Sequence, residues 1–335
     1  MVKKFSAKVW ICAMLAAFLA VTGLGCGNKQ LAQPPRTAGQ NDNSAAKVVR
    51  IGVLPIEDNL PFYVAEKEGW FPEAGLQVEL VSFPSAVERD AALQAGQIDG
   101  EVADLVAVAL MKKAGTDVKI ASIGLGATPQ EGRFALLAAP NSSIRQAEDL
   151  KNVPIGVSEN SIIDYVTDQM LKDRGVPQAQ IKKIGVAKMP VRLQMLLSNQ
   201  IQAACLPDPL ATLAVAQGAH LVLDDTYRNI SQTVLLFRTA SVQNKRAALQ
   251  TVVRVYGEAG RALAKNPELY RPLLIEKAQI PAPIKDTYKM PTFSPLQLPT
   301  QAEVSSVMQW MVEKKLLAQP FAYDELVDPD LLSRT

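Results

Sequence analysis

Ala95-Gly96-Gln97-Ile98-Asp99-Gly100 has a partner further along the chain, Ser198-Asn199-Gln200-Ile201-Gln202-Ala203. In both, a helical segment runs into a Gly or Asn, then Gln-Ile, then a short strand. Ser85 to Ala95 has helical periodicity and Gly96 is its natural stop. Val191 to Ser198 reads the same way before the second copy. The strands that follow are expected at Ile98 to Val102 and Ile201 to Cys205. One local order used twice argues for two related lobes rather than one long sheet.

The same alternation extends outward from both copies. Val48 to Val53 begins a strand, Pro55 to Pro61 reads as a loop, and Pro61 opens a helix ending near Gly69-Trp70. Leu76 to Val81 alternates with period two, as a strand does. Leu105 to Ala114 (helix), Val118 to Ile123 and Phe134 to Ala138 (strands) complete the first series. The second runs through Ile155-Gly156-Val157, a helix over Ile162 to Asp173, Ile184-Gly185-Val186, Leu210 to Ala216 and Leu221-Val222-Leu223. Thr233 to Phe237 reads as a returning strand, before helices over Asn244 to Lys265 and Gln301 to Leu316. In the last, Val304, Val307, Met308, Met311 and Val312 share one apolar face. The expected fold is therefore α/β, each lobe a mainly parallel sheet flanked by helices. Ligands of such sheets bind beyond the carboxyl ends of the strands, so two facing lobes make a cleft.

The first residues carry a different signal. Lys3 and Lys4 precede an apolar run, Val9 to Val21, too short for a comfortable membrane span. Gly23-Leu24-Gly25-Cys26 follows it. This resembles a bacterial lipobox, with Cys26 acylated as the first mature residue, although Gly23 stands where a large aliphatic residue is usual. A soluble secreted protein or an uncleaved anchor are the alternatives. Residues 27–47 are rich in Gln, Asn, Pro, Ala and Ser, the composition of a flexible tether. The expected organisation is leader 1–26, tether 27–47, first lobe 48–133, second lobe with crossing strands 134–237, and return to the first lobe 238–335.

Composition narrows the function. Of 335 residues, 48% are hydrophobic and 20% charged, as in a packed soluble protein. Losing Lys3, Lys4 and Lys8 with the leader takes the formal +2 charge to −1, no footprint for nucleic acid. Only Cys205 lies in the body, and His220 is the one histidine. Metal sites need several ligands at short spacing, and a Ser-His-Asp triad would have to use His220 without any Gly-x-Ser-x-Gly elbow. Gly124-Leu125-Gly126 lacks the third glycine of a dinucleotide loop; it suits backbone brought close to a cleft. No metal, no cofactor and no catalysis are expected.

Several segments together resemble solute-binding proteins of the NMT1/THI5-like, nitrate/sulfonate/taurine type. They are Leu60-Pro61-Phe62-Tyr63-Val64-Ala65-Glu66-Lys67-Glu68-Gly69-Trp70-Phe71, Ala74 to Leu80, Gly96 to Gly100, Glu148 to Val157, Asp208-Pro209, and Ala264 to Glu268. The resemblance spans nearly all of Val48 to Leu316. It implies a two-lobe periplasmic-binding-protein fold that closes on a small molecule by hinge motion. It also implies delivery to an ABC permease outside the cytoplasm, as a monomer held to a membrane through Cys26. The same fold hosts pyrimidine-precursor synthases and menaquinone-pathway enzymes, and a sensory lipoprotein would share these features.

Candidate ligand contacts follow from that geometry, each beside a plainer role. Glu57, Asp58 and Asn59 end the first strand and open a helix; capping by Asp58 or Asn59 is the alternative. Two adjacent acids are unlike an anion receptor and favour a neutral or cationic ligand. Asn160 and Ser161 start the second-lobe helix, where free N–H groups attract anions or carbonyls, and Ser161 with Asp164 resembles a capping box. Asp104 and Asp208 occupy matching strand-to-helix junctions in the two lobes. Phe62 and Met189 are apolar-wall candidates with core packing as the alternative.

Overall fold

A computed structural model describes residues 48–228 and 230–332. The leader, Cys26 and the tether lie outside the described residues. Among the described residues, ten strands form two five-stranded sheets. The first contains β1 (Val48–Val53), β2 (Gln77–Ser82), β3 (Gly100–Asp104) and β4 (Val118–Ile123). The second contains β5 (Phe134–Ala138), β6 (Pro154–Val157), β7 (Lys182–Gly185), β8 (Ala203–Pro207) and β9 (His220–Asp224). The last strand, β10 (Thr233–Arg238), returns to the first. The orders are β2-β1-β3-β10-β4 and β7-β6-β8-β5-β9.

In each sheet four strands run one way and one runs against them: β10 is antiparallel to β3 and β4, and β5 to β8 and β9. Thr233–Arg238, read from the sequence as the close of the second lobe, is thus hydrogen-bonded inside the first sheet. Its continuous run of buried apolar residues, Val234 to Phe237, suits either sheet, so only the pairing partner distinguishes them.

Helices cover the sheets. They are α1 (Leu60–Lys67), α2 (Trp70–Glu73), α3 (Ala86–Gln94), α4 (Leu105–Lys113), α5 (Ile162–Asp173), α6 (Met189–Leu197), α7 (Leu210–Ala216), α8 (Thr239–Lys265), α9 (Arg271–Lys277), α10 (Gln301–Glu313) and α11 (Tyr323–Leu326). Local chemistry sets several boundaries. Ser85 accepts from the Glu88 N–H to start α3, and Thr300 with Glu303 forms a full capping box on α10. That helix stops at Glu313, short of the expected Leu316, where Lys315 takes a left-handed φ of 60°. The expected helix over Asn244 to Lys265 begins earlier, at Thr239, and breaks at Lys245, whose ammonium sits 2.9 Å from Asp99.

The two Gln-Ile copies occupy equivalent places, between α3 and β3 and between α6 and β8. Each isoleucine is a buried plug rather than a strand residue, so both strands start two residues later than expected. Ile98 packs over Gly52 of β1 and Ile201 over Gly156 of β6. An arginine lies beside each plug, Arg89 from α3 and Arg192 from α6, and both are buried.

Candidate ligand-binding cleft

The carboxyl ends of β1, β3, β4 and β8 converge with the starts of β5 and β10 on one cavity of about 220 Å³. Both lobes line it. A second compartment of about 400 Å³ adjoins it, sharing Glu57, Gly132, Arg133 and Asp208 and adding Tyr288. A larger open groove of about 1100 Å³ follows the outer face of α8 past Arg246 and Arg254, away from these strand ends. The cleft is the better candidate because groups from both sheets meet there.

Four of the expected residues come together. Glu57, Asp58, Asp104 and Asp208 all line the cavity. Residues 57–59 form a 3-10 turn rather than an open loop, which buries both acids. Burial, with the neighbouring Asp58 charge, pushes the Glu57 carboxyl up to about 8; Tyr288 O–H, donating to Oε2 at 2.7 Å, pulls the other way. Burial likewise pushes Asp58 up to about 6, offset by a hydrogen bond from Thr233 and the charge of Arg89. Asp104 accepts from the Ala107 N–H at 2.9 Å, capping α4, and burial raises it too. It therefore caps its helix and also lines the cavity. Asp208 accepts from Thr212 N–H and O–H, at 2.9 and 2.7 Å, and lies 3.6 Å from Arg133.

The other four stand elsewhere. Asn59 is buried beneath the turn and donates from Nδ2 to the Leu54 carbonyl at 3.0 Å; it makes no side-chain cap, nor does Asp58. Phe62 is fully buried, its ring 4.7 Å from that of Tyr256 on α8. It faces inward because α1 packs that side on α8. Ser161 caps α5 by accepting from the Ile163 N–H, while Asp164 accepts from the Asn160 N–H, one residue earlier than a capping box requires. Asn160 holds a left-handed φ of 57° in an exposed turn. Neither borders the cavity; Ile162 and Ile163 do, with Met189.

Residues not foreseen complete the wall. Arg89 is only 3% exposed. Its Nη1 donates to the Val102 carbonyl at 2.6 Å, and its Nε and Nη2 to Asp90. The buried Glu101 carboxylate lies 3.2 Å from Arg89 Nε as an ion pair, off the line of a hydrogen bond. Arg133 donates to Asp224 at 2.9 Å. A signal for Arg89 was available: it shares an apolar register, i, i+3 and i+4, with Ala92 and Leu93.

Two buried carboxylates brace the segments that cross between sheets. Glu131 accepts from the Gly126 and Ala127 N–H groups and from Ser294 Oγ. Asp225 accepts from Phe134 N–H and Ser231 O–H. The Gly124-Leu125-Gly126 backbone does come to the cleft, where Leu125 and Gly126 line it. His220 points away, its Nε2 2.9 Å from the Pro140 carbonyl oxygen.

The match that decides the grouping covers residues 42–272, with the model of the NMT1-like family. The chain belongs to the NMT1-like family. An ABC transporter periplasmic binding protein of Brachyspira hyodysenteriae is 24% identical over 247 residues, 69% of either chain. The aliphatic sulphonate binding protein SsuA of Escherichia coli superposes with a TM-score of 0.73 at 20% identity, over 85% of this chain and 99% of that one. A point mutant of DSZB in complex with biphenyl-2-sulfinic acid superposes at 0.66 and 15% identity, over 85% and 98%. The NMT1-like chain thus has the periplasmic-binding-protein fold. Among its described residues, no helix is long and apolar enough to cross a membrane.

Proposed function

We propose that this protein is an extracytoplasmic receptor that captures a small molecule between its lobes and hands it to an ABC permease. The observation that carries this is the cavity at the carboxyl ends of both sheets, where Glu57, Asp58 and Asp104 of one lobe face Asp208, Ile162 and Met189 of the other. The name of the Brachyspira relative supports the same reading. A receptor fits better than a catalyst: Cys205 is buried in β8 with its thiol pushed up to about 12, far from a reactive thiolate. Aliphatic sulphonate is the cargo named for the E. coli neighbour, but at 20% identity the likeness extends to fold and not to cargo.

The testing experiment is native mass spectrometry of protein purified without denaturation, then a thermal-shift screen across small organic molecules. One class of compound is expected to raise the melting temperature reversibly and leave unchanged. Conversion of a compound to product would overturn the receptor reading. We also infer that Cys26 is the lipid anchor. Cys26→Ser is expected to release the protein from membranes, and membrane association that survives the change would rule the anchor out.

A further inference from the structure

We propose that the cleft accepts an organic cation, a small molecule carrying a protonated amine or amidine on an apolar body. This rests on the cleft being the ligand site, as read above, and specifies the charge of what enters. Five carboxyl groups line one cavity: Glu57, Asp58, Asp104, Glu131 and Asp208. Among the described residues, only Asp208 of these five has an ion-pair partner, Arg133, and Glu131 is held by hydrogen bonds from Gly126, Ala127 and Ser294.

Among the described residues, the cationic side chains in this cavity's wall, Arg89 and Arg133, are already committed. All three guanidinium nitrogens of Arg89 are engaged by Asp90 and the Val102 carbonyl, with Glu101 alongside. Arg133 is shared between Asp224 and Asp208. An incoming anion would find no uncommitted cation in this cavity's wall, and every carboxyl that ionised there would repel it. That cost grows as the lobes exclude water.

Glu57 points to the missing partner. It is 7% exposed and lines both compartments. Tyr288 satisfies Oε2, but among the described residues Oε1 accepts no hydrogen bond. Burial disfavours ionisation of Glu57 and Asp58. A ligand ammonium or amidinium supplies the donors and the opposite charge that the wall lacks, so the acids ionise against it. The rest of the lining fixes the remainder of the molecule. Ile56, Leu125, Ile162, Ile163 and Met189 offer apolar surface, and about 220 Å³ admits only a small body.

The test uses purified full-length protein and matched probes in calorimetry and thermal shift. Benzylamine, phenethylamine and benzamidine are set against phenylmethanesulfonate, phenylacetate and benzyl alcohol. At least one cationic probe is expected to bind about tenfold or more tighter than its anionic and neutral counterparts. The double variant Glu57→Gln, Asp58→Asn is expected to lose that preference, while Val87→Ser, at an exposed position of α3, keeps it. If the double variant fails to fold, Asp104→Asn, which retains a helix cap, makes the same comparison. An anionic or neutral probe that binds as well, with the same sensitivity to these variants, overturns the cation and leaves the cleft standing. Binding indifferent to all three acids overturns the cleft itself. No binding by any cationic probe up to about 10 mM, weaker than any specific capture, also overturns the proposal.

Discussion

Glu57 couples stability to pH. Its carboxyl is held at about 8 in the folded chain against an ordinary value of 4.5, chiefly by burial. Between those values the folded state keeps a proton that the unfolded state has released. Stability therefore falls as pH rises, by at most about 1.4 kcal/mol per pH unit from this group. Glu57→Gln removes the titration and keeps the shape. Its melting temperature is expected to fall less than the parent's between about pH 5 and pH 8, and identical slopes would show that Glu57 is ionised throughout. Asp58, at about 6, acts in the same direction over a lower range. These acids were legible because strand-to-helix junctions in an α/β chain face the cleft. Asn59 and Phe62 were not separable from them in one dimension, since a 3-10 turn and the packing of α1 on α8 decide which neighbours turn inward. Arg89 and Arg133 differ again. The register of Arg89 shows that it turns inward, but not where its head arrives, because a long side chain reaches several residues from its own position. Arg133 has a partner, Asp224, that is distant in sequence.

The Gln-Ile elements were legible as a repeat, and their packing explains why they are repeated. In each lobe the isoleucine after the turn fills the space above a strand glycine, which lets helix and strand approach closely. Two other placements of glycine tolerate crowding differently: Gly100, at the end of the first element, and Gly156, beneath the second. A Cβ on Gly100 of β3 would lie 2.5 Å from the Leu236 carbonyl oxygen of β10, and paired backbone cannot yield. A Cβ on Gly156 meets the Ile201 Cδ1 atom at 2.9 Å, the mobile end of a side chain. Gly100→Ala is expected to cost about 2–3 kcal/mol and Gly156→Ala about 1, measured by urea denaturation. Equal losses would mean that Ile201 is as fixed as the β10 backbone. The boundaries of α8 and α10 were less legible, because Lys245 and Lys315 look helical by propensity. Their backbone follows instead from an ion pair with Asp99 and a left-handed stop.

At the scale of the molecule, the lobes meet at more than the crossing segments. Trp310 of α10, 2% exposed, packs edge-on against Tyr165 of α5 with ring centroids 5.4 Å apart. Its indole N–H donates to Asp168 at 2.9 Å, and Lys183 balances Asp168 and Asp164. Trp310→Ala is expected to cost about 3–5 kcal/mol in denaturation, and to widen the radius measured by small-angle scattering as the lobes lose this contact. An unchanged radius would confine Trp310 to local packing. No sequence pattern announces such a contact, because α5 and α10 are joined only through the fold. The reversed strands carry a last consequence. β5 is the first strand of its sheet to appear along the chain, and β10 is the last of its own, inserted between β3 and β4. As a chain emerges from its amino terminus, every strand of the second sheet is present once Asp224 is out. The first sheet waits with an open slot until Arg238. The half of the protein that is made first is therefore finished last, around a partner that is already whole.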